Sequence, residues 1–229
     1  MWYTLFVIKL ITKYFTEVWD MKIAVVASNG KASQAIIAEL IARGHTVTGF
    51  ARSENKSAAQ DFVQKDIMAL TKEDLAGFDA VVDGFGAYTP ETLPLHTQTS
   101  QHLADLVAGT AARLYIVGGA GSLYVDAAHS VQLLDTPEFP AAFYALAKAQ
   151  TEELAALRSR TDAKWVFVSP AADFRADGEK TGKYILGGEE LTLSAAGESV
   201  ISYADYAVGM VDLIESGAHI GERVSLVQA

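Results

Sequence analysis

An unbroken apolar run, KIAVVA at 22–27, gives way to a polar turn at 28–33, and Ile36, Ile37, Leu40 and Ile41 then follow at helical spacing. A strand apolar at every position is covered on both faces. A helix that starts directly after such a strand folds back to cover one of them. This unit recurs along the chain. Strands are expected at 22–27, Thr46–Ala51, 62–64, 79–83, Arg113–Val117, 165–168 and 223–227. Helices are expected at 32–43, 93–112, Ala141–Arg158 and 203–214, with Gly44 placed to end the first. The alternation predicts an α/β fold, a doubly wound parallel sheet with helices on both faces. After Ser169 the texture changes, and Gly178, Gly182, Gly187, Gly188 and Gly197 punctuate polar segments. One domain over 21–229 is expected, with 170–202 forming much of a small C-terminal substrate lobe over the cleft.

Composition removes several functions. Asp and Glu number 28 against 18 Lys and Arg, a net charge of −10 with no local basic patch, which argues against a nucleic-acid partner. The absence of cysteine excludes disulfides, thiolate metal sites and cysteine nucleophiles, and is compatible with the cytoplasm, the compartment expected here. The five histidines show no H-x-x-x-H or H-E-x-x-H spacing, so no metal site is expected. No G-x-S-x-G elbow occurs. Glu152-Glu153 and Glu189-Glu190 read as solvated faces. Residues 1–20 are aromatic-rich, but too short and too charged for a membrane span. They read either as an amphipathic helix or as the product of an upstream start, with Met21 the natural first residue; the second reading is preferred, and no membrane partner is expected.

The turn after the first strand has small residues at Ala27, Gly30 and Ser33, the three-residue spacing of a phosphate-binding turn that opens a helix. Asn29, Lys31 and Ala32 lie within it. A P-loop is excluded, because Val25 stands where its first glycine belongs and Ala32 where its Mg²⁺-binding hydroxyl belongs. At the end of the second strand, where a ribose-binding acid would sit for NAD(H), the chain has Arg52, with Ser53 and Lys56 nearby. A guanidinium there suits a 2′-phosphate, so NADP(H) is favoured over NAD(H).

With these features in view, the chain resembles the atypical short-chain dehydrogenase/reductases, in the branch of NADH-flavin reductase-like or NAD(P)H-binding proteins. The resemblance runs from Met21 to the C-terminus. It rests on Asn29-Gly30, Gly44-His45-Thr46-Val47-Thr48, Lys65-Asp66-Ile67, the stretch VGGAGSL from Val117 to Leu123, and Ser169-Pro170-Ala171-Ala172. The most specific parts are GEKTGKY from Gly178 to Tyr184 and SYADYA from Ser202 to Ala207. It implies a Rossmann-like fold. It also implies that residues from Asn29 to Ser33 hold a pyrophosphate, Arg52 the adenosine phosphate, and Asp66 and Ile67 the adenine edge. Gly84, Phe85 and Gly86 would lie along the cofactor, and Gly118, Gly119 and Ser122 with Ser169, Pro170 and Ala171 would flank the nicotinamide. The family usually has glycine at the positions of Ala27 and Ser33, so their side chains are expected to crowd the turn.

Tyr144 and Lys148 reproduce the Y-x-x-x-K spacing of the wider superfamily, four residues apart on one helical face. An ammonium near a phenol lowers its pKa and lets it donate a proton, with Ser122 orienting the substrate oxygen. The null for this pair is chance. The expected function is reduction of a small flat acceptor, a flavin or quinone bound as substrate, by hydride from the nicotinamide. Phe85, Leu123, Tyr124, Phe139 and Tyr144 are candidates to line its slot. The alternatives are a non-catalytic NADP redox sensor and a nucleotide-sugar epimerase or dehydratase, the last disfavoured by the short C-terminal lobe. Monomer and dimer stay open on the sequence.

Overall fold

The computed structural model describes residues 20–229, and the helix or upstream-start reading of the N-terminal stretch lies outside them but for Asp20. Ten strands and four α-helices follow. They are β1 (Lys22–Val26), α1 (Lys31–Ala42), β2 (Thr46–Ala51), β3 (Asp61–Gln64), β4 (Ala80–Asp83), α2 (Leu95–Val107), β5 (Arg113–Val117) and α3 (Ala141–Arg158). Then come β6 (Lys164–Ser169), β7 (Asp173–Arg175), β8 (Tyr184–Gly187), β9 (Val200–Ser202), α4 (Tyr203–Ser216) and β10 (Glu222–Gln228).

Eight strands form the main sheet in the order β3-β2-β1-β4-β5-β6-β10-β8, all parallel except the edge strand β8. This is the Rossmann-like doubly wound fold. The strand order reverses at β1, whose Val25 lies opposite Gly49 of β2 on one side and Val82 of β4 on the other. Ile36, Ile37 and Leu40 of α1 share one face of the sheet with Tyr206, Met210 and Ile214 of α4. Leu103 and Val107 of α2 share the other with Leu154 and Leu157 of α3. Crossover helices on both sides leave only the strand ends for a ligand, and the switch point at β1 and β4 is where a crevice opens.

Most boundaries fall within two residues of the expected ones. The helix expected at 93–112 is shorter, because it starts behind Pro94 and ends where Ala108 leaves helical geometry and Gly109 turns with φ +72°. The three strands β7, β8 and β9 are additional. The segment 170–202 divides: β8 joins the main sheet antiparallel to β10, and β7 pairs with β9 in a small parallel sheet. The loop between β7 and β8 is pinned to α4. Buried Asp205 accepts the Thr181 N–H at 2.9 Å, the Thr181 hydroxyl at 2.8 Å and the Gly182 N–H at 2.7 Å. Tyr184 Oη donates to Asp212 at 2.6 Å. The GEKTGKY and SYADYA stretches are thus the two halves of one contact.

The first turn of α1 lies close against the end of β4. A Cβ built on Gly84 would come within 2.0 Å of Ser33 Oγ and 3.3 Å of the Val26 carbonyl oxygen. Ser33 is buried and its hydroxyl has no partner. The crowding expected at Ser33 is therefore absorbed by the glycine across from it, and the close helix–strand packing is kept. Gly84→Ala is expected to cost about 1–3 kcal/mol, as overpacking does. Ser33→Ala, which deletes an unpartnered buried hydroxyl, should be near neutral. The double variant should lose less than Gly84→Ala alone in urea unfolding, and strictly additive losses would contradict this contact.

Candidate functional site

The turn between β1 and α1 is built by backbone. Ala27 leaves the strand with φ +55°, and its carbonyl accepts the Gly30 N–H at 3.0 Å. Its methyl is a problem of conformation, because a left-handed L-residue costs roughly 1–2 kcal/mol, which glycine would avoid. The buried Ser28 donates its N–H to the Phe50 carbonyl at 3.0 Å, and its side chain fits because Gly49 lacks one. Gly30 caps α1 without a side-chain hydrogen bond, and the first turn contains no acid. The N–H groups of Lys31, Ala32 and Ser33 are left without intrahelical partners, at the positive end of the helix dipole. That is the requirement for holding a phosphate. Asn29 belongs to this turn by its backbone, while its side chain is bonded to the loop after β2.

Arg52 follows β2 directly, is exposed, and makes no ion pair among the described residues. Asp66 caps the short 3-10 turn Ile67–Ala69 by accepting the Met68 N–H at 2.9 Å, and Ile67 is half-buried against the core beneath. After β4, Gly84 donates to the Val26 carbonyl at 3.1 Å and Phe85 donates to Asp83 Oδ1 at 2.9 Å. A Cβ on Gly86 would lie 3.1 Å from the Tyr88 hydroxyl, so Tyr88 folds back over this loop. Gly118 is required by the Phe167 ring, 2.1 Å from where its Cβ would be, while a Cβ on Gly119 would meet only the movable end of the Gln150 side chain. Ser169, Pro170 and Ala171 are buried at the end of β6. Unpartnered buried oxygens of Ser28, Ser33, Asp83 and Ser169 gather at the carboxyl ends of β1, β4 and β6 and the start of α1. The bare amides, the close glycines and these oxygens all fit a dinucleotide laid across the switch point.

The expected catalytic group is more dispersed. Tyr144 is 45% exposed and Lys148 is exposed, on the first turns of α3, whereas Ser122 is buried. No hydrogen bond joins the three among the described residues. Of the five residues expected to line an acceptor slot, Leu123 is wholly core. Beside the turn, a cavity of about 550 Å³ is instead lined by Lys31, Gln34, Ala35, Ala176, Asp177, Tyr203 and Ala204.

Of the carboxylates expected on solvated faces, Glu153 proves buried and Glu189 half-buried. Glu189 accepts from Arg223 Nε at 3.1 Å and from Arg158 Nη2 at 2.6 Å. The buried Arg223 also donates to the Ser122 carbonyl at 3.3 Å and so holds the loop after β5. Glu153 is buried on α3 with Asp83 and His96 near it, and His96 Nδ1 lies 3.8 Å from Glu153 Oε2. Burial, reinforced by the Asp83 charge, pushes the Glu153 carboxyl well above its ordinary range, against a hydrogen bond from Ser100. Burial likewise raises Asp83 to about 6, against the Phe85 N–H, and lowers His96. The signal for Glu153 was its spacing, since it shares a helical stripe with Ala149 and Leu157.

The sequence matches the NAD(P)H-binding family profile over residues 28–216. The chain belongs to this NAD(P)H-binding family. The Bacillus subtilis protein YwnB, itself uncharacterized, is 41% identical over 210 residues, covering 90% of this chain and 98% of YwnB. The crystal structure of SP1627 from Streptococcus pneumoniae, named a putative NADH-flavin reductase, is 56% identical with a TM-score of 0.89. It covers 91% of this chain and 100% of that one. A Bacteroides thetaiotaomicron structure named a putative epimerase is 32% identical with a TM-score of 0.80, covering 91% and 97%. No described helix is long and apolar enough to cross a membrane.

The buried acids carry a testable sign. Asp83 holds its proton to about pH 6 when folded but only to 3.8 when unfolded. The folded state therefore binds the extra proton between those values, and stability falls as pH rises through them. At ~1.4 kcal/mol per pKa unit the loss is on the order of 3 kcal/mol. Asp83→Asn keeps the acceptor for Phe85 and should gain on the wild type across this window, reaching a plateau above pH 6. Unfolding free energies of the two proteins at pH 4 and pH 7 test it, and a constant difference would refute it.

Proposed function

We propose that this protein is an NADPH-dependent reductase of a small flat acceptor, a flavin or a quinone. The observation that carries the reading is the uncapped α1 N-terminus at the switch point, with Arg52, which has no ion-pair partner among the described residues, at the end of the neighbouring strand. The flavin-reductase name borne by the pneumococcal structure supports the acceptor class. Bound NADPH supplies a hydride.

In this reading the amides of Lys31, Ala32 and Ser33 hold the pyrophosphate, and Arg52 with Lys56 holds the 2′-phosphate. Asp66 and Ile67 border the adenine. Gly84, Phe85 and Gly86 lie along the ribose, and Gly118, Gly119, Ser169, Pro170 and Ala171 flank the nicotinamide. Tyr144 donates a proton from its hydroxyl to the acceptor oxygen, Lys148 stabilises the phenolate left behind, and Ser122 orients that oxygen. NADPH consumption with FMN, riboflavin and a benzoquinone tests the activity. Tight cofactor binding with no acceptor reduced would favour a redox sensor.

Two variants test the residues. Tyr144→Phe should lower quinone turnover by about 10²-fold or more, the range of general acid catalysis, and leave NADPH affinity unchanged. Full turnover on every acceptor would make the Tyr–Lys spacing accidental. Arg52→Ala should remove most of a preference for NADPH of about ten- to a hundredfold, the worth of a charge-assisted hydrogen bond. NADH has no phosphate there to lose, so its affinity should hold. Calorimetric titration of both cofactors decides, and a variant that loses both alike would show that Arg52 does not read the phosphate.

A further inference from the structure

Residues 52–56 form an exposed loop without regular structure between β2 and β3. A cation on a free loop gives up much of its binding energy to ordering. This loop is held. Asn29 Nδ2 donates to Ser53 Oγ at 3.1 Å and to the Glu54 carbonyl at 2.8 Å, and Asn29 Oδ1 accepts the Lys56 N–H at 2.8 Å. Among the described residues, every hydrogen bond from residues 53–56 to a residue outside 53–57 ends on Asn29.

Asn29 is itself fixed. It is half-buried, and its carbonyl accepts Gln34 Nε2 at 2.8 Å from the first turns of α1. Its neighbour Ser28 is bonded through its amide to Phe50 of β2. The side chain suits the task by its chemistry, since a primary amide supplies two donors and an acceptor on a short stem. Aspartate offers no donor, and serine cannot reach three groups. The same residue thus contributes backbone to the phosphate turn and side chain to the loop that carries the cations.

We propose that Asn29 is a positioning residue for the choice between NADPH and NADH. It fixes Lys56 and the residues that follow Arg52, whose own carbonyl accepts Gln64 Nε2 at 3.2 Å, without itself touching the 2′-phosphate. The proposal rests on the reading that Arg52 meets that phosphate. Asn29→Ala removes all three bonds to the loop and leaves the amides of Lys31, Ala32 and Ser33 in place.

The test titrates NADPH and NADH by calorimetry against wild type, Arg52→Ala and Asn29→Ala, and follows amide exchange at Lys56 in the cofactor-free protein. Wild type should prefer NADPH by about ten- to a hundredfold, and Asn29→Ala by less than about threefold. Any loss of NADH affinity should be clearly smaller than the loss of NADPH affinity, and an unchanged far-ultraviolet circular dichroism spectrum reports that the variant folds. The Lys56 amide should exchange at least about tenfold faster in Asn29→Ala, since its acceptor is gone. Preference lost in Arg52→Ala but kept in Asn29→Ala overturns this proposal alone, as does unchanged exchange at Lys56. Equal loss of both cofactors overturns it too, because Asn29 would then serve only the turn. A wild type without preference overturns the Arg52 reading and this proposal with it.

Discussion

The functional end of this molecule depends on how closely α1 lies on the ends of β1 and β4. A helix dipole acts within its first turn, so a phosphate benefits only if that turn is brought up to the crevice. Two glycines outside the turn permit it. Gly49 on β2 admits Ser28, and Gly84 after β4 admits Ser33. The resemblance to NAD(P)H-binding proteins placed the glycines within the turn, and here part of that space is supplied from across the crevice. The remaining departure, Ala27 at φ +55°, is a local strain that the surrounding strands hold in place.

The opposite wall of the crevice is fixed from two sides. Gly118 rests on the Phe167 ring and Gly121 on the Ala147 methyl, each without room for a Cβ, and Gly119 faces the Gln150 amide. The loop they belong to is held from behind by Arg223, whose burial depresses its pKa while Glu189 and the Ser122 carbonyl satisfy part of its guanidinium. A loop so confined presents backbone at a fixed distance, which is what a platform for a planar ring requires. The strap from Gly178 to Tyr184 is pinned elsewhere, to α4 through Asp205 and Asp212.

The parallel core was legible because its strands are apolar throughout and its helices carry one stripe each, and Ala141–Arg158 and Thr46–Ala51 end where the pattern ends. The turn was legible as well, since its small residues fall between a strand and a helix. The strands β7, β8 and β9 were not, because three- and four-residue strands at an edge show neither an apolar run nor a full alternation. Nor were the roles of Asn29, Glu189 and Arg223. Their partners lie up to 101 residues away, as Ser122 does from Arg223, and no local spacing announces such a bond. Glu153 was misread for a different reason: one acid on an apolar stripe looks like the edge of a solvated face until Asp83 and His96 are found behind it.

Charge distribution explains why only one of two similar helix ends is available to an anion. Both α1 and α4 begin after short connections and cover the same face of the sheet. At α4 the Ser202 hydroxyl accepts the Asp205 N–H, and the Asp205 carboxylate lies in the first turn, so both the amides and the dipole are already engaged. At α1 neither exists: Gly30 has no cap to offer, and no acid enters the first turn. Lys31, Arg52 and Lys56 stand around it in a chain whose net charge is −10. Screening over about 8–10 Å confines the general negative field, so what a phosphate meets is set by the charges and bare amides close to the turn. Acids stand nearby as well: Glu54 lies in the loop between Arg52 and Lys56, and Asp177 lines the same cavity as Lys31, while Asp83 and Glu153 are buried, which raises the pKa of both. The polarity of the site is therefore set by what is left uncapped as much as by the cations themselves.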